Sequence, residues 1–219
     1  MSSICIQFDW MTTTKLAVRA GFAGSEVDGF VRQRGGNPEL PGEAVKGSIR
    51  EAAERLMRWQ GLAQDNEGDE PWIPHVGTRM QRIFACEHTS NTLAPKAFYK
   101  FNGATGTAAR KLRFSSTAIE TSTGVAKDNT LRTLEYWAPG ILFPMTIMGQ
   151  GGNWRPGEAD YGDLLFLLSA ILSVEGIGGD QGTGNGCVSV GALKVAGDGF
   201  YLTFNEICEL LKNWVPEMA

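Results

Sequence analysis

An α+β fold on a ferredoxin-like, βαββαβ core is what this sequence predicts, and three observations predict it. Apolar residues recur at helical spacing over residues 45–57 and again over 160–174. Segments rich in β-branched and aromatic residues lie near the N-terminus, over 111–148 and over 187–195. In chain order these read strand, helix, two or three strands, helix, strand, the ferredoxin-like sequence of elements. The departures from that core are an insertion after the first helix, about residues 63–109, and a long hairpin at about 115–138, within a single domain spanning 1–219.

Taken in order, residues 3–20 read as extended, with rough alternation through ICIQFDW and TTTKLAVRA. Residues 21–36 form a glycine-punctuated loop carrying Glu26, Asp28, Arg32 and Arg34, and Asp28 is expected on a mobile part of it. Pro41 and Gly42 open a helix whose buried face is Val45, Ile49, Ala52, Ala53, Leu56 and Met57, ending near Gly61. Lys46 and Arg50, four apart, project from one side of its first turns. Unpaired backbone N–H groups and the positive end of the helix dipole suit that end to a phosphate. The plainer reading of the same charges is a solvated helix face.

Residues 63–74 are acidic and turn-prone, and 75–109 read as irregular loops around one or two short segments. A strand over 111–116 leads into a polar hairpin around Thr123-Gly124 and Asp128-Asn129, with a return strand over 134–137. Pro139-Gly140 turns the chain into a buried strand over 141–148. Residues 160–174 are apolar on most of their circumference, which marks a buried helix. A glycine-rich stretch (176–186), a strand (187–195) and an amphipathic segment (205–214) complete the chain.

The composition is 42% hydrophobic and 20% charged, as in soluble globular proteins. No apolar run is long enough to span a bilayer and no signal peptide is evident, so cytoplasm and no membrane partner are the expectations. The four cysteines are scattered in unmatched spacing, as in reduced intracellular chains. A net charge of −4 argues against free, non-specific nucleic-acid binding but allows a local basic groove.

The glycine-rich stretch GIGGDQGTGNG invites a nucleotide-loop reading, but no Lys-Ser or Lys-Thr pair follows it. It also follows a helix and precedes a strand, the reverse of the dinucleotide order. What remains is a bare backbone, with Gly182 and Gly184, able to lie against a polymer or a neighbouring subunit, or simply a long connection. Cys86, His88 and His75 could belong to a zinc site only if Cys187 or an acidic residue completed it, and their spacing is irregular; free thiol and surface imidazole fit them better. With two histidines, neither beside a nucleophile signature, a catalytic triad finds no support.

Asp28, the run LPGEAVKGSIREAAERL from Leu40, the run RKLRFSSTAIETSTGVAKDNTLRTLEYWAPGILF from Arg110, and GIGGDQGTGNGCVSV from Gly176 occur in this order along most of the chain. Together they resemble the RAMP superfamily of CRISPR-Cas proteins, and within it the backbone subunit of type III effector complexes; residues 63–109 are not explained by the likeness. The resemblance implies an RNA-recognition-module-like domain that stacks with neighbouring RAMP and other effector subunits along a guide RNA (crRNA). It implies guide-backbone contacts at Lys46, Ser48, Arg50, Gly42 and Gly47, with Arg32 nearby. The hairpin would be the family's thumb, which wedges between bases of the guide–target duplex, with Thr121, Ser122, Thr123 and Val125 at its tip. Asp28 matches the aspartate that supports metal-dependent cleavage of complementary target RNA. Physically, a carboxylate near a scissile phosphate can hold Mg²⁺ or another divalent cation there, Glu26 could assist, and Arg32 or Arg34 could stabilise developing charge. Two alternatives stand beside an endoribonuclease subunit: a non-catalytic scaffold of the same kind of complex, and a structural or interaction protein outside CRISPR defence.

Overall fold

A computed structural model describes residues 2–23, 27–59, 79–84, 98–123, 125–126 and 131–214. The chain opens with β1 (Ser3–Thr12), followed by β2 (Arg19–Ala23), β3 (Val27–Val31), β4 (Gln33–Arg34) and β5 (Asn37–Leu40). Helices α1 (Gly42–Trp59) and α2 (Arg79–Phe84) come next, then β6 (Phe98–Phe101), β7 (Ala104–Thr105) and β8 (Lys111–Ser116). After β9 (Arg132–Trp137) and β10 (Leu142–Gln150), helix α3 (Ala159–Leu172) precedes β11 (Val188–Gly197), β12 (Phe200–Leu202) and α4 (Phe204–Asn213).

The main sheet has the order β12-β11-β1-β10-β6, with every pairing antiparallel. Alternation in β1 buries Ile4, Ile6, Phe8, Trp10 and Thr12 and turns Gln7 and Met11 outward. Its register sets Ile6 against Ile147, Phe8 against Met145 and Trp10 against Phe143, so the central rungs are apolar pairs. Over that layer pack α1, through Val45, Ile49, Ala52 and Ala53, and α3, which buries Leu164 to Leu168, Ala170 and Ile171. Ala52 and Ala53 are small enough to bring the two helices close.

The β10 edge beyond β6 is closed by a loop. Thr107 donates its N–H to the Leu142 carbonyl and its Oγ1 accepts from the Leu142 N–H, both near 3.0 Å. The Asn102 N–H reaches the Thr146 carbonyl. Between them Pro144 has no N–H to offer, which suits a strand edge. At the opposite edge β12 spans three residues.

A second sheet, β2-β3-β9-β8, is antiparallel apart from β3 with β9, which run parallel with Gly29 opposite Leu134. A third, smaller set joins β4, β5 and β7. Here the structure corrects the sequence reading of residues 21–36 as a loop: the described part is three strands. Gly35 and Gly36, at φ +58° and +84°, form a two-residue turn that pairs Arg34 with Asn37 across β4–β5. Asp28 therefore lies in a paired strand rather than in a mobile loop. Three further differences concern the sheets. Phe98–Phe101, read as part of an irregular stretch, is a strand of the main sheet. Lys111–Ser116 and its return strand form their own ribbon outside the main sheet. Strand β12 was not anticipated; its three residues are too few for a periodic signal.

Two junctions explain why particular glycines are used. A Cβ on Gly42 would lie 2.5 Å from the Phe101 carbonyl oxygen, and one on Gly103 2.8 Å from that of Leu40. The start of α1 can thus rest directly on the end of β6. Its first turn is closed by the Pro41 carbonyl, which accepts from the Ala44 and Val45 amides. Helix α2 is tied to α3 through Asp163, which is buried and accepts from Arg79 at 3.1 Å and from Arg82 at 2.6 and 2.9 Å.

Candidate nucleic-acid interface

The glycine-rich stretch does not hang free. Its Gly179 N–H reaches the Ala17 carbonyl at 2.7 Å and its Gly186 N–H the Lys15 carbonyl at 2.8 Å. The Cys187 N–H donates to Thr14 Oγ1, and the Cys187 carbonyl accepts from Thr13. Gly178 and Gly186 both have positive φ, and a Cβ on them would meet the carbonyls of Ala17 and Ile177 at 2.6 and 2.0 Å. Between these anchors the turn 180–184 is exposed, and a Cβ on Gly182 or Gly184 would meet nothing within 4 Å. Tight anchoring at both ends thus presents a bare stretch of backbone to solvent, a surface able to meet phosphate or ribose groups.

Asp180, at the start of that turn, ties it to the second sheet. It accepts from Arg19 at 2.5 Å and from the Tyr136 hydroxyl of β9 at 2.9 Å. Burial, and then the bond to Asp180, hold the Tyr136 hydroxyl above its usual pKa, so it stays a proton donor. The register of β8 with β9 separates two faces of the ribbon. On one, Glu135 is buried and paired with Arg113 at 3.2 Å and Lys111 at 4.0 Å. On the other, Phe114 meets Tyr136 edge to face at 5.6 Å. The Lys15 ammonium sits 4.0 Å from the Phe114 ring centre and 4.5 Å from that of Tyr136.

The second sheet therefore gathers several of the residues that sequence singled out. Asp28 precedes Gly29 on β3, beside β9. Beyond β8, Ile119 bridges to Ala126, and the Glu120 N–H reaches the Val125 carbonyl; Thr121, Ser122, Thr123 and Val125 are exposed there. Thr123 Oγ1 donates to Glu120 at 3.3 Å. Gly124 and residues 127–130 of the expected hairpin lie outside the described residues, as do Glu26, His75, Cys86 and His88.

Helix α1 carries the other group. Gly47 is exposed with open space around it, and Lys46 and Ser48 are partly exposed. Arg50 forms an ion pair with Glu54 at 2.8 Å, so a phosphate would have to compete for it. Gly42 is engaged at the junction with β6. Arg32 pairs with Glu39 across β4–β5 at 3.0 Å, and its carbonyl accepts from the buried Trp137 indole; Arg34 is exposed. Among the described residues no group of three or more His, Cys, Asp or Glu side chains is placed to hold a metal ion. Mg²⁺ usually takes only one or two carboxylates and completes its shell with water and phosphate oxygens, so a single strand-borne aspartate is compatible with it. No described helix is long and apolar enough to cross a membrane.

Sequence reasoning missed Lys15, Arg19, Phe114, Tyr136 and Asp180. The partners in this cluster lie far apart along the chain, and no local pattern links Lys15 to a ring 99 positions on.

The RAMP superfamily family model matches residues 11–189. The chain belongs to the RAMP superfamily. No curated protein sequence matches it. Among solved structures, it is similar to a chain in a cryo-EM structure of the type III-B Cmr-beta complex bound to cognate target RNA, with a TM-score of 0.58 and 14% identity. That likeness covers 89% of this chain and 61% of the other, and at this identity it concerns the fold.

Proposed function

We propose that this chain is a guide-RNA-binding backbone subunit of a type III CRISPR effector complex and that it cleaves complementary target RNA with Asp28 at the metal. The observation that carries the reading is the second sheet. It joins the Asp28 strand to the β8–β9 ribbon and, through Tyr136 and Asp180, to the anchored glycine turn. Membership of the superfamily, and a fold like that of a subunit in an RNA-bound type III-B complex, support it. We read the main sheet as ferredoxin-like: β11, β1, β10 and β6 stand as the fourth, first, third and second strands of a βαββαβ unit with α1 and α3 as its helices.

In this reading the start of α1, with Lys46, Ser48, Gly47 and Arg50, and the turn at Gly182 and Gly184 hold the guide backbone. The segment beyond β8 reaches the guide–target duplex, and neighbouring effector subunits extend the groove. A divalent cation at Asp28 would stabilise charge on the scissile phosphate and the leaving oxygen. Asp28 would hold it, and Arg32 or Arg34 could neutralise charge developing nearby.

The test is cleavage of guide-complementary RNA by the assembled complex, wild type against Asp28→Ala, with Mg²⁺ and with chelator. Loss of cleavage by about 100-fold or more, with guide binding intact, is the expected result. Unchanged cleavage would move the chemistry to another subunit and leave this chain as a scaffold.

A further inference from the structure

The β8–β9 ribbon has an aromatic face whose outer ring, packed edge to face on Tyr136, stays partly open to solvent. Phe114 is 44% exposed, on the edge strand of its sheet, while the buried Tyr136 beneath it is held by Asp180. An exposed ring on an edge strand is open to a planar partner from solvent. The cations placed over the rings of this face are Lys15, over Phe114 and Tyr136, and Arg19, whose guanidinium lies 5.8 Å from the Tyr136 ring centre. Arg19 is already engaged by Asp180. Lys15 is held by its backbone to the glycine loop, but its ammonium rests on the two rings with no ion pair among the described residues.

We propose that Phe114 is a stacking platform for one base of a bound single-stranded RNA and that Lys15 receives the phosphate beside it. The proposal rests on the RNA-binding reading above and deepens it by naming where a base is held. Three features favour a nucleotide as occupant. A planar apolar ring with an ammonium 4.0 Å from its centre offers a surface for a base and, once Lys15 swings off the ring, a charge for its phosphate. The platform lies between the glycine loop, bonded to Lys15 at Gly186 and to Tyr136 at Asp180, and the segment beyond β8. It is therefore continuous with both surfaces already assigned to RNA. The charged partners Glu135, Lys111 and Arg113 occupy the opposite face, and the carboxylate bonded to Tyr136 on this one, Asp180, is paired with Arg19. Phe114 has no hydrogen-bonding atom with which to read a base edge, so the site tolerates any base.

The experiment measures binding of the full chain to single-stranded RNA oligonucleotides, each carrying 2-aminopurine at one position. Wild type should bind and quench the fluorescence at particular positions. Phe114→Ala should abolish that quenching and weaken binding roughly 5- to 100-fold while leaving its salt dependence intact. Phe114→Trp should retain both the quenching and the affinity, which separates lost stacking from lost folding. Lys15→Ala should lower the slope of log affinity against log salt by about 0.7. Unchanged affinity and quenching in Phe114→Ala, with wild type binding RNA, would overturn the platform and leave the RNA-binding reading standing. Failure of the wild-type chain and of the assembled complex to bind any RNA would overturn that reading, and the platform with it.

Discussion

Gly182 and Gly186 sit four residues apart in one loop, yet only one of them is fixed by the fold. Gly186 has φ +74°, and a side chain there would drive a Cβ to 2.0 Å from the Ile177 carbonyl oxygen. The left-handed backbone alone costs an alanine about 1–2 kcal/mol, and the clash adds to it. Gly186→Ala should therefore lower stability by about 3 kcal/mol or more, read from the urea midpoint. Gly182 faces open space, so Gly182→Ala should stay within about 0.5 kcal/mol of wild type. The sequence showed a run of glycines but not which were needed for folding. That distinction comes from the folded loop itself, which sets the Ile177 carbonyl against Gly186 and leaves Gly182 in open space. Asp28 is a similar case: its neighbours suggested a turn, but its strand pairs with β2 on one side and, at Leu134 more than a hundred residues on, with β9 on the other.

At the scale of the element, local rules held where they act over a few residues. Helix α1 runs along the predicted apolar stripe, and α3 is buried around most of its surface as its composition implied. Helix α4 begins with a capping box. Thr203 Oγ1 accepts from the Glu206 N–H, and Glu206 accepts from the Thr203 N–H at 2.8 Å. The Thr203 backbone N–H, and then its hydroxyl, hold the Glu206 carboxyl below its usual pKa. A depressed folded pKa gives a contribution that is full above the ordinary carboxyl range and is lost as pH falls through the folded value. Thr203→Ala should therefore lower the thermal midpoint at neutral pH, and its difference from wild type should shrink in acid. A difference that stayed constant with pH would show that the Thr203 hydroxyl does nothing for the Glu206 carboxylate and caps only the backbone. Elements whose identity depends on distant partners were not legible. Strand β6 looks irregular because its four residues become a strand only by pairing with β10.

At the scale of the whole molecule, α2 is held to the core by a buried charge. Asp163 is 1% exposed and shared by two guanidiniums that still reach water. Removing a buried partner commonly costs about 3–5 kcal/mol. Because Arg79 and Arg82 can be rehydrated, Asp163→Asn should cost about 2–3 kcal/mol in chemical denaturation. A change below half of that would show α2 to be secured by Met80, Ile83 and Phe84 instead, which are all buried. The class of fold was readable because strands and helices announce themselves locally. The division into separate sheets was not, because it is decided by which distant strands meet.

The main sheet also constrains how copies can assemble. On one side the Thr107 and Asn102 bonds and the missing amide of Pro144 occupy the border, and on the other β12 offers only three residues. A neighbouring chain added as one more strand would find, among the described residues, only β12 and β6, of three and four residues, to pair with. In the proposed assembly, growth would then run mainly through side chains, loops and the nucleic acid between subunits. The guide's length, rather than the protein's own tendency to polymerise, would then set how many copies are strung together.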